Sequence, residues 1–156
     1  MNEYLELVPS LMKLAPDLLP KYKQLKKEFE SGLDAEDVEA LQKISELHNL
    51  QDESKTVPTT IVFEDLLVPY IVDLAVTRKD LKKLSTVMNW IEELAKSSNF
   101  KLSNLVASCV CEGLVTKYES NLASLMPYIG TKTKLLCENH FSRFMVTEET
   151  QRMFRV

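Results

Sequence analysis

The sequence predicts an all-α fold, and three observations carry that expectation. Glycine is limited to Gly32, Gly113 and Gly130 in 156 residues. No Asn-Gly or Asp-Gly hairpin signal occurs, so the turn chemistry of a β protein is missing. Apolar residues recur at helical i, i+3, i+4 spacing along most of the chain. With 45% hydrophobic and 27% charged residues the composition is that of an ordinary globular protein, and the length predicts one domain with a single core.

The first helix is expected over Glu3 to Leu14, capped by Asn2, with Tyr4, Leu5, Val8, Leu11 and Met12 as its buried stripe and a kink at Pro9. Asp17 is positioned to cap a second helix to about Phe29. Pro20 is tolerable in its first turn and Gly32 is expected to end it. Asp34 caps a third helix to about Leu47, with Asp37 in a capping-box position and Val38, Leu41, Ile44 and Leu47 facing inward. The polar stretch from His48 to Thr60 is the longest loop. It separates an N-terminal helical unit (1–50) from a main helical unit (61–156), as a seam within one domain and not as a domain boundary.

After the loop, Ile61 to Val76 reads as a helix started by Thr59 or Thr60 and kinked at Pro69. Asp80 caps a helix to about Ser97, with Leu81, Leu84, Met88, Ile91 and Leu94 in register. The segment Ser103 to Lys117 is apolar nearly all round, which marks it as the centre of the core. A shorter helix covers Ser120 to Tyr128, and Thr131 caps another to His140. The amphipathic stretch from Phe141 to Val156 closes the chain. Short turns between these helices imply a compact bundle of antiparallel helical hairpins, with a HEAT-like α-solenoid arrangement as the alternative; no sequence repeat supports a true solenoid.

Composition also excludes function classes. The formal charge of −4, from 23 acidic and 19 basic residues, is opposite to the basic excess of a nucleic-acid binder. The cluster Lys21, Lys23, Lys26 and Lys27 spreads over the solvent side of one helix. The longest apolar runs fall well short of the roughly 18 residues of a membrane span. Three cysteines, an odd number, with no leader-like apolar segment, suggest a reducing, cytoplasmic setting.

Cys109, Cys111, Cys137 and His140 invite a zinc reading. Residues two apart on a helix point away from each other, however, so Cys109 and Cys111 are not expected to face one ion, and no metal or cofactor is expected. Neither His48 nor His140 sits in a nucleophile motif, and no phosphate loop, HExxH or EF-hand pattern occurs. Carboxylates are more distinctive: Glu64, Asp65 and Asp73 interrupt an apolar helix, Glu92 and Glu93 follow Trp90, and Glu112 lies inside VASCVCEGLV. Buried carboxylates are costly unless paired, so a solvated face or a capping role is the plain reading of these residues and a partner-binding patch the functional one, while Glu112 should hydrogen-bond to a neighbouring helix or face a partner. These six residues form the expected partner-binding surface.

The segments VFEDLLVPYIVDL, LSTVMNWIEELAKSSN, LVASCVCEGLV and LASLMPYIGTKTKLL resemble a family of short bacterial all-helical proteins of unknown function. The matching positions are Phe63, Asp65, Leu66, Glu92, Glu93, Ser108, Glu112, Leu114 and Met126. The likeness covers Val62 to Leu136, and Pro69 and the paired cysteines depart from the pattern. Some members resemble immunity proteins of bacterial toxin systems, which implies a non-catalytic protein that binds a basic toxin. The alternative is a scaffold subunit using an apolar stripe of Phe141, Phe144, Met145, Met153 and Phe154. An enzyme built on Glu112 and His140 is the least favoured reading.

Overall fold

The computed structural model describes residues 3–32, 39–40, 43, 57–141 and 146–155. Among them every regular element is helical. The chain divides into two compact units, Met1–Val62 and Phe63–Val156, so the divide falls two residues inside the main unit expected from the sequence.

In the first unit a 3-10 turn, Glu3–Glu6, leads into α1 (Leu7–Leu14). Pro9 lies in the first turn of α1, where a missing N–H costs nothing, and the tightened turn ahead of it takes the place of the expected kink. Ala15 closes α1 by donating its N–H to the Leu11 carbonyl at 2.8 Å. A second 3-10 turn, Pro16–Leu18, opens α2 (Leu19–Gly32). Leu7, Leu11, Ala15 and Leu18 are buried. No residue of α2 is buried, and Lys21, Lys23 and Lys27 stand exposed on it, as the sequence implies. The expected third helix and the loop after it lie largely outside the described residues. The unit ends in α3 (Thr59–Val62), which packs on α1. It starts two residues early because the Pro58 carbonyl accepts the N–H groups of Ile61 and Val62 at 3.0 and 3.1 Å.

The second unit opens with a π-helical turn, Phe63–Leu67, followed by α4 (Val68–Thr77). The π turn stands where the sequence suggests a kink. Pro69 has no N–H to return to the carbonyl four residues back, and its ring crowds that carbonyl; widening the preceding turn relieves both. The C-cap of α4 is Arg78, at φ 56° in the left-handed region, with its N–H on the Leu74 carbonyl. Asp80 caps α5 (Leu81–Lys96) as expected, accepting the Lys83 N–H at 2.9 Å.

Asn99 caps α6 (Phe100–Leu105) through the Lys101 N–H, and so starts this segment three residues before the expected Ser103. A second π turn, Val106–Cys111, carries it into α7 (Glu112–Lys117). Along this stretch Leu105, Val106, Ala107, Cys109, Val110, Cys111, Leu114 and Val115 are buried, which makes it the centre of the unit's core. The helical turn α8 (Leu122–Leu125) packs on α4, and α9 (Thr131–His140) packs on both the second π turn and α5. The chain closes with α10 (Glu148–Phe154), capped by Thr147.

Candidate functional site

The two π turns touch each other, and a small pocket opens where they meet the first turn of α7. Glu64 comes from the first π turn, Ser108 and Cys109 from the second, and Glu112, Gly113, Thr116 and Lys117 from α7. The pocket holds about 120 Å³, below the roughly 300–1,000 Å³ of a typical small-molecule site. Glu64 and Glu112 are exposed at its rim, whereas Cys109 is 2% exposed at its base. Gly113 brings α7 against Val68, whose methyl groups lie at 3.4 Å from the position a β-carbon would take. The Ser108 hydroxyl donates to the Asn104 carbonyl at 2.7 Å.

Burial pushes the Cys109 thiol up to about 12, with the charges of Glu64 and Glu112 acting in the same direction and Ser108 opposing them. At neutral pH the side chain is therefore a protonated thiol. Neither nucleophilic attack nor metal binding is available to it in that form, since both need the thiolate. Among the described residues no group of three or more His, Cys, Asp or Glu side chains is arranged to hold a metal ion. No helix there is long and apolar enough to cross a membrane.

Of the six carboxylates expected at a binding surface, Glu64 and Glu112 meet at this pocket. Asp65 and Asp73 are exposed on the first π turn and α4, and Glu93 is exposed on α5 with Lys96 at 3.5 Å. Glu92 is the exception. It is 8% exposed and turns inward from α5 to the start of α9. Its Oε2 accepts the Lys132 N–H at 3.2 Å, and its Oε1 accepts the Thr133 N–H at 2.8 Å and the Thr133 hydroxyl at 3.3 Å. A helix N-terminus offers unpaired N–H groups and a positive dipole end, both of which favour a carboxylate. The role expected of Thr131 at this helix start is thus filled by a residue 40 and 41 positions from the donors it accepts, and Glu92 is withdrawn from the binding surface. Gly130 makes room for it: a β-carbon there would overlap the Glu92 carboxyl group. Its φ of −72° is open to any residue, so glycine is needed for space and not for backbone conformation.

Glu119, which the sequence does not single out, holds the start of α10 in a similar way. Its Oε1 accepts the Thr147 and Thr150 hydroxyls, each at 2.7 Å. Those two hydrogen bonds, first Thr147 and then Thr150, hold its carboxyl below the usual carboxylate value of 4.5. Glu119 also lines a larger, open hollow of about 590 Å³ with Lys117, Ser120 and Met153.

Cys111 and Cys137 form a disulfide, at odds with the reducing setting suggested by the odd cysteine count. The helical argument that separated Cys109 from Cys111 holds: one lines the acidic pocket and the other faces α9. His140 is buried at the end of α9 and is not among the residues lining the Glu112 pocket. The scaffold stripe is corrected as well. Phe141 and Phe154 are buried and pack edge-on with ring centroids 5.1 Å apart, so they serve their own core. Phe144 and Met145 lie outside the described residues.

No curated protein and no solved structure matches the chain. Residues 8–144, most of the sequence and parts of both units, match the family described as a domain of unknown function (DUF7674), and the chain belongs to that family.

Proposed function

We propose that this domain is a non-catalytic binding module that presents an acidic face to a cationic protein, and that it neutralises that partner as an immunity protein of a bacterial toxin system does. The observation that carries the reading is the pair Glu64 and Glu112, exposed on two sides of a pocket whose one thiol is held protonated. Such a pocket is too small for an ordinary substrate and has no activated nucleophile. Exposed carboxylates around it, with Asp65 beside Glu64, speed and orient the approach of a positively charged surface. The net charge of −4 acts in the same sense.

The test is capture of a basic partner by the tagged protein at low salt, followed by titration calorimetry with the triple variant Glu64→Gln, Asp65→Asn, Glu112→Gln. A loss of affinity of at least about tenfold, with association that slows as salt rises, is expected for a charge-steered interface. Wild-type affinity in the triple variant, or salt-independent association, sinks the proposal.

A further inference from the structure

Cys137 lies in the second half of α9 and Cys111 ends the second π turn, the two elements that form a central contact of the Phe63–Val156 unit. Their Cα atoms are 5.1 Å apart, within the range that a disulfide spans. Both residues are wholly buried, at 0% exposure. The Cys111 sulfur also lies 3.9 Å from the Thr133 carbonyl oxygen, so a thiol at this position has an acceptor in the same fold. The cross-link therefore ties the second π turn to α9 inside the core of this unit.

We propose that Cys111 and Cys137 form a redox latch on α9, and that its opening is gated by the Glu92 clamp at the start of the same helix. Oxidation by a small disulfide such as oxidised glutathione joins the two sulfurs, and the two electrons and two protons leave with two molecules of reduced glutathione. Reduction by a dithiol runs the other way: a thiolate attacks one sulfur, a mixed disulfide forms, and the second thiol displaces the remaining cysteine. The reductant closes to its own cyclic disulfide, and both cysteines end as thiols.

Attack needs a path to sulfurs that have no exposed surface, so α9 must first lift from the π turn and from α5. Glu92 resists that motion, because it bonds from α5 to Lys132 and Thr133 in the first turn of α9. Cys109 stays outside the exchange. It sits in the Glu64 and Glu112 pocket, and its raised thiol value keeps it from attacking the neighbouring disulfide.

The experiment treats the full chain with oxidised glutathione, unfolds it and counts thiols by alkylation and mass. One free thiol, mapped to Cys109, is expected, rising to three after reduction; three thiols before reduction, or a disulfide that includes Cys109, overturns the latch. Reduction of the folded, oxidised protein by dithiothreitol is then followed over time in low urea. Glu92→Gln should speed it at least tenfold and Glu119→Gln, which frees a different helix, less than twofold. Where Glu92→Gln fails to fold, Thr133→Val removes one donor of the clamp and should speed reduction in the same direction. Equal rates in wild type and the clamp variant, or a steep rise of the wild-type rate with urea, which marks global unfolding as the route, overturns the gating.

Discussion

The starts of α9 and α10 are held by the same device with different local support. Each accepts a carboxylate from far along the chain, Glu92 at α9 and Glu119 at α10. At α10 the distant carboxylate is a second support. Thr147 already caps the helix, accepting the Thr150 N–H at 3.2 Å, although Thr150 itself is buried. At α9 the preceding residue is Gly130, which has no side chain to offer, and the remote carboxylate of Glu92 is buried. A helix start whose cap is a single remote, buried carboxylate thus depends on that cap far more than a start with a local hydroxyl of its own.

The sharpest way to break the α9 start is Gly130→Ala. The added methyl takes the space of the Glu92 carboxyl group, which must then leave its three donors. Overpacking and orphaned buried donors together set the expected loss at about 3–4 kcal/mol, read from urea unfolding. Glu92→Ala removes the acceptor without the overlap and should cost about 2–3 kcal/mol. The two changes act on one contact, so the double variant should be about as stable as Glu92→Ala alone. Additive losses would show that Gly130 serves some purpose other than room for Glu92.

The same contrast explains what the sequence discloses. Local signals were legible: Asp80 before an apolar-periodic run gives α5 its start, Thr59 and Thr60 lie at the start of α3, and the apolar segment ending at Lys117 is the centre of its core. Pro69 marks a disturbance whose position was readable and whose form, a π turn and not a bend, depends on how the widened helix packs. Glu92 stands out in the sequence only as a carboxylate beside Trp90, with a solvated face, a capping partner and a binding patch as its expected fates. What decides between them is a contact across 41 positions, which no local pattern encodes. Glu119 carried no anomaly at all, since a glutamate in a polar turn is ordinary. Of the candidate surface, Glu64 and Glu112 stand out in the sequence, but only folding brings residues 48 positions apart to one pocket.

The smallest expected effect belongs to α10, and it is a matter of pH. Hydrogen bonds from Thr147 and Thr150 hold the Glu119 carboxyl below 4.5 in the folded chain, so its support is fully present above that value. As pH falls below about 4.5 and through the lowered folded-state value, protonation withdraws the acceptor and the support is lost; solvent screening keeps the change small. Amide exchange of the first turn of α10, relative to its intrinsic rate at each pH, should therefore quicken in acid. In Glu119→Gln this acid-specific gain should vanish while the Thr147 cap keeps the helix formed. If the gain persists in Glu119→Gln, a group other than Glu119 carries the acid response of α10.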